Sequence, residues 1–235
     1  MNSKTSIIFL LFISTSVLAQ KDYPNILSVR DRSTVIDEVL EERLQTILPS
    51  IMRREGIDMW LVISREYNED PVMRTLLPST WLAARRRTIL IMYDQGSERG
   101  IECLAIARYD VGKSFKSAWN KEEQPDQWKR LIEIIEERNP DKIGINTSAD
   151  WQHADGMVVT DMEELRAVLP KKYEEKLVSA EKIAVGWLET RSAREMAIYP
   201  HICRIAHEII DEAYTENVLT PGVTPTDDVD RKSDD

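Results

Sequence analysis

The chain has 235 residues, of which 42% are hydrophobic and 31% charged, with a formal net charge of −10. That apolar share supports a packed core and excludes a disordered segment, and the acidic balance excludes a nucleic-acid binder, which needs a basic face to neutralise phosphates. The length holds one domain, or one domain with part of another.

The first element is a leader. Lys4 gives a positive start, Ile7 to Ile13 an apolar run, and Val17-Leu18-Ala19 a small-residue cleavage site before Gln20. The apolar run is too short to span a bilayer, and no Cys follows the cleavage point to carry a lipid, so the expectation is a periplasmic or secreted protein without a membrane anchor. Val35, Ile36, Leu40, Leu44, Ile47, Leu48, Ile51 and Met52 then recur every three or four residues. This spacing predicts an amphipathic helix capped by Ser33 or Thr34, kinked or broken near Leu48 by Pro49, and ended at Gly56.

A buried strand is predicted over 57–63, and a strand pair over 88–93 and 101–108, joined by a turn around Gln95-Gly96-Ser97 and Gly100. Arg85-Arg86-Arg87, the densest basic cluster, stands directly before the second strand. It is read either as a strand-end site near a ligand or as a solvated loop. Trp128, Leu131, Ile132 and Ile135 mark a helix ending near Asn139-Pro140, and Lys142 to Asn146 is a strand. Thr160-Asp161-Met162-Glu163 has the form of a capping box opening a helix to Leu169. This alternation of helices and strands predicts an α/β domain with a mixed sheet covered by helices. Cys103 and Cys203 fall in different elements and are expected to be unpaired.

Two places carry candidate chemistry. His153 lies in a loop beside Asp150, Asp155 and Gly156, where it could act as a general base or simply anchor the loop. His207-Glu208-Ile209-Ile210-Asp211 approaches the zincin pattern His-Glu-x-x-His, with Asp in place of the second His. His207 and Asp211 are one turn apart, whereas His201 points about 240° away from His207. Ile202, Ile205, Ala206, Ile209 and Ala213 form the apolar stripe of that helix, which leaves His207 and Asp211 on the solvated face. Two exposed ligands do not make a catalytic zinc site. The acidic tail from Asp227 lacks the turn Gly and closing Glu of a calcium loop, and no glycine-rich phosphate loop or nucleophile elbow occurs.

Several phrases together resemble one family. They are Gly56-Ile57-Asp58-Met59-Trp60-Leu61, the strand pair from Ile89 to Ile106, and Lys142-Ile143-Gly144-Ile145-Asn146 leading on to His153-Ala154-Asp155-Gly156. Further on come Lys176 to Glu181, Gly186-Trp187-Leu188-Glu189-Thr190-Arg191, and Ser192-Ala193-Arg194-Glu195, a second capping box. Leu219-Thr220-Pro221-Gly222-Val223-Thr224-Pro225-Thr226-Asp227-Asp228-Val229 follows the helix. In order and spacing these resemble the Xaa-Pro aminopeptidase, prolidase and creatinase family of pita-bread metallopeptidases.

The resemblance implies a leader at 1–19, a creatinase- or prolidase-like N-terminal domain at 20–174, and a linker with the mainly helical start of an α+β pita-bread domain at 175–235. A full-length member would act on proline-containing peptides with two divalent metals (Mn, Co or Zn), and a homodimer is open. The family's Asp, Asp, His, Glu and Glu metal ligands would lie downstream, so no catalytic, cofactor or metal residue is assigned here. The sequence turns wholly polar after Val229, which reads as a truncated product, a frameshift or a fragment. The expectation is the N-terminal portion of an exported metallopeptidase, inactive alone. The alternative is a non-catalytic dimerisation or protein-binding module.

Overall fold

A computed structural model describes residues 24–228. The leader and the acidic run beyond Asp228 lie outside them. Two compact units are present, one of Ile26–Pro200 and one containing Asn25 and the residues from His201 on.

The larger unit opens with α1 (Val29–Glu55), whose buried Leu40, Leu44, Ile47, Leu48, Ile51 and Met52 follow the expected spacing. Its start is earlier than expected: Ser28, not Ser33 or Thr34, caps the helix by accepting from the Asp31 N–H. Nor does Pro49 break it. A proline inside a helix removes one hydrogen bond and costs about 3 kcal/mol, but here it is buried together with Ile47, Leu48, Ile51 and Met52, and that packing carries the helix through. Gly56 ends it at φ 62, with Gly56 N–H donating to Arg53 O and Ile57 N–H to Met52 O. That closing turn consumes Gly56 and Ile57, so β1 runs over Met59–Arg65 rather than from residue 57.

β2 (Arg87–Asp94) and β3 (Ile101–Ile106) are the expected strand pair. With β4 (Lys116–Ser117), β5 (Ile143–Ile145) and β6 (Leu177–Ser179) they form a six-stranded sheet in the order β4-β3-β2-β1-β5-β6. β1–β2 and β2–β3 are antiparallel, while β1–β5, β3–β4 and β5–β6 are parallel. Successive residues of β1 face opposite sides of the sheet. Trp60 and Val62 pack with α1, α2 (Pro71–Leu76) and α6 (Glu181–Glu189), whereas Met59, Leu61 and Ile63 pack with α3 (Gln127–Arg138) and α4 (Val159–Val168). Covering both faces makes the central strands continuously apolar, and each fully buried aliphatic side chain contributes about 1.5–3 kcal/mol.

The Thr160–Glu163 capping box does not form. α4 begins at Val159 with Val158 at its N-cap and no side-chain cap bond. The helix is set instead by Asp161, which the first turn directs inward to Arg65 and Arg87. The sheet continues past residue 174: the short α5 (Lys171–Glu174) leads into β6, and α6 packs back on α1. The Ser192–Glu195 capping box does form, with Ser192 N–H donating to Glu195 Oε2 (2.7 Å) and Glu195 N–H to Ser192 Oγ (3.2 Å). It opens α7 (Ala193–Ala213). In the smaller unit the α7 stripe is not a core: Ala213 is buried, but Ile202 and Ile209 are 54% and 46% exposed.

Candidate functional site

At one end of the sheet β1 stops at Arg65, β2 starts at Arg87, β3 stops at Ile106 and α3 starts at Gln127. The connections between them surround a cleft of about 500 Å³, a size suited to a small organic ligand. Trp81, Tyr109 and Trp119 supply aromatic walls, and Arg85, Arg86, Arg108 and Lys121 supply positive charge, with Glu66 as the acidic member. Gln127 fixes the floor, donating from Nε2 to both Arg87 O and Ile106 O at 3.0 Å.

The three consecutive arginines have three different fates. Arg87 is committed to the fold: its Nη2 lies 2.5 Å from Glu164 Oε2, its Nε lies 3.2 Å from Asp161 Oδ1 but off hydrogen-bond angle, and its guanidinium stacks 4.6 Å over Trp128. Arg65 reinforces this cluster, donating to Asp161 Oδ1 from Nε and Nη2 at 3.0 and 2.8 Å. Glu164 is held below the usual carboxylate range, first by the Trp128 indole N–H at 2.8 Å and then by Arg87 and Arg65. Arg85 lies 4.7 Å over the Trp81 ring. Arg86 adopts φ 54, a left-handed conformation that costs a non-glycine residue about 1–2 kcal/mol. It is pinned there by a reciprocal pair: Glu66 N–H donates to Arg86 O (2.6 Å) and Arg86 N–H to Glu66 Oε2 (3.0 Å).

Among the described residues no carboxylate pairs with the side chains of Arg85, Arg86, Arg108 or Lys121, and all four are exposed. The N-terminus of α3, which could otherwise attract an anion, is occupied by its own cap: Asp126 Oδ1 accepts from Trp128 N–H (2.9 Å) and Lys129 N–H (3.4 Å). Anion recognition here therefore falls to guanidinium and ammonium groups. The sequence shows the arginine cluster but not that Arg108, Tyr109, Trp119 and Lys121 join it, because only the sheet register brings β3's end beside β2's start.

The other candidates do not converge. His153 sits in a short 3-10 turn (Gln152–Ala154), exposed and without a hydrogen bond among the described residues. Its loop is anchored by Asp155, whose Oδ1 accepts from Ser148 N–H at 3.1 Å. His207 and Asp211 are exposed, as expected, and His201 Nε2 is 2.9 Å from Asn25 O. Cys103 and Cys203 are free thiols. Among the described residues no three His, Cys, Asp or Glu side chains come together to hold a metal ion, so these residues do not fit the two-metal centre that the family resemblance implies. No helix among them is long and apolar enough to cross a membrane.

A buried polar knot is not visible in the sequence pattern. Asp70, at 2% exposure, accepts from Asn146 Nδ2 and from Val72 N–H, both at 2.7 Å, and donates its own N–H to Ser64 Oγ at 3.1 Å. Asn146 Oδ1 accepts from Trp60 Nε1 at 2.7 Å. Burial pushes the Asp70 carboxyl above its ordinary range, against the opposing pull of Asn146 and the backbone donors. Asp70-Pro71, a helix cap followed by proline at the first helical position, is its one local signal.

The fold is a mixed α/β arrangement. It matches that of the Xaa-Pro dipeptidase from Bacillus anthracis with a TM-score of 0.50 at 13% sequence identity. The match covers 85% of this chain and 49% of that one, so the chain spans about half the length of the structure it resembles. At this identity the likeness establishes a distant relationship of fold. No protein-family model and no curated protein matches the sequence.

Proposed function

We propose that this chain is the N-terminal portion of an exported Xaa-Pro peptidase-like metallohydrolase, and that it binds and shapes rather than catalyses. The observation that supports this reading is the six-stranded mixed sheet with helices on both faces, in a fold that matches the dipeptidase's. In this reading the basic, aromatic cleft is the binding face. Metal chemistry belongs to residues other than those described, since none of them gathers a ligand set. Export by the leader at residues 1–19 is part of the same proposal.

The test is metal content and hydrolysis of Xaa-Pro peptides by the purified chain, with Mn²⁺, Co²⁺ or Zn²⁺ supplied. No retained metal and no cleavage are expected. Stoichiometric metal accompanied by cleavage would overturn the proposal and direct mutagenesis to His153, His207 and Asp211.

A second reading, a dimerisation or protein-binding module, is favoured by one observation. Ile202, Ile209, Ile210 and Tyr214 are 54%, 46%, 54% and 70% exposed, and clustered apolar exposure seeks a partner. A concentration-independent monomer in sedimentation equilibrium would count against self-association.

A further inference from the structure

We infer that the cleft between the β1, β2 and β3 ends is a receptor for a small aromatic oxyanion: a flat apolar body carrying a carboxylate or phosphate group. The inference rests on this cleft being the binding face, and it adds the chemistry of what is bound.

The cations of the cleft differ sharply from one another in how they are paired. Arg65, which adjoins the cleft at Glu66, and Arg87, which lines it, are neutralised by Asp161 and Glu164. Arg85, Arg86, Arg108 and Lys121 converge on about 500 Å³ with only Glu66 against them. A chain carrying a net charge of −10 has carboxylates to spare, yet among the described residues none is paired to these four. Guanidinium forks match the two oxygens of a carboxylate or phosphate. The Arg86 backbone is held at both its N–H and its C=O by Glu66, which fixes where its side chain leaves the chain at the cleft.

The aromatic side chains of the cleft are held in place. The Arg85 guanidinium is already stacked on Trp81, which pre-orders one cation over an apolar wall. Trp119, which lines the same cleft, is held by its indole N–H, which donates to Gln124 O at 2.6 Å. Ordering both rings before binding lowers the entropy cost of seating a planar group against them. The acidic net charge of the chain argues against a nucleic-acid backbone as the source of the anion.

The experiment is isothermal titration of the full chain with N-acetylphenylalanine, N-acetylphenylalanine amide, phenyl phosphate and inorganic phosphate, repeated at low and high salt. At least one aromatic oxyanion is expected to bind, at least about tenfold more tightly than the neutral amide or the bare phosphate ion, and less tightly as salt rises. Whichever of the carboxylate and phosphate probes binds better identifies the anionic group.

An Arg108→Gln/Lys121→Gln double variant removes two exposed charges that the fold does not use. It should weaken binding about tenfold or more, while Lys113→Gln/Lys182→Gln, an equal charge change outside the cleft, should not. Absence of binding, equal binding of the amide, equal binding of inorganic phosphate, or an unaffected double variant would each overturn the inference. Peptide cleavage by the chain would overturn the proposed function yet leave this result standing, so the two fail separately.

Discussion

Asp70 shows how one buried carboxyl sets both tolerance and pH response. A Cβ added at Gly156 would lie 2.0 Å from Asp70 Cγ, so Gly156→Ala must displace the Asp70–Asn146 pair. A destabilisation of about 1–3 kcal/mol is expected from such overpacking, readable as a shift in the urea midpoint. The pH dependence follows from the raised folded-state pKa of Asp70. A carboxyl that binds its proton more tightly when folded stabilises the fold at acid pH, and that contribution is lost as pH rises through the folded value. The stability advantage of the native protein over Asp70→Asn should therefore shrink from about pH 4 upward and then level off. An advantage that grew with pH would show that the hydrogen bonds to the carboxylate outweigh burial.

Asp94 has the opposite sign. Arg53, donating to it at 2.7 and 2.8 Å, holds its carboxyl below the usual range, so its contribution is lost as pH falls. Burial raises the Cys103 thiol to about 12. Iodoacetamide at about pH 8 should consequently label Cys103 in urea far faster than in the folded protein, as resolved by peptide mass mapping.

Among the elements, two capping boxes of the same form come to different ends. Ser192–Glu195 closes as its sequence reads, because nothing else competes for Ser192, and Glu195 also receives Arg43 at 2.6 Å. Thr160–Glu163 does not, because Asp161 is drawn to Arg65 and Arg87, an attraction invisible to any local window. The long helix, the central strands and the turn through Gly96 and Gly100 are legible from periodicity and glycine placement, since each depends on contiguous residues. β4 and β6, at two and three residues, are too short to show a period and exist through pairing alone.

Arg43 ties these elements together. At 7% exposure it stacks 4.3 Å over Trp187, donates to Thr190 O at 2.6 Å and to Trp187 O, and pairs with Glu195. Arg43→Ala strands these acceptors and should cost about 3–5 kcal/mol, seen as a fall in the thermal midpoint. Arg43→Lys should rescue little of it, because an ammonium cannot reproduce a stacked, forked guanidinium.

For the whole molecule, the α/β class is readable because alternation of periods depends only on the order of elements. The cleft is not. Arg85 and Arg86 stand out as a run, but Arg108, Trp119 and Lys121 become their neighbours only once the antiparallel β2–β3 register is set. The order of the strands also bears on how the protein meets other chains. The strands with the longest ladders, β1 and β2, are interior, and the two outer positions are held by β4 and β6, at two and three residues. An outer strand that short offers a second molecule too few open N–H and C=O groups to extend the sheet. The outermost strands are thereby poor templates for edge-to-edge growth into fibrils.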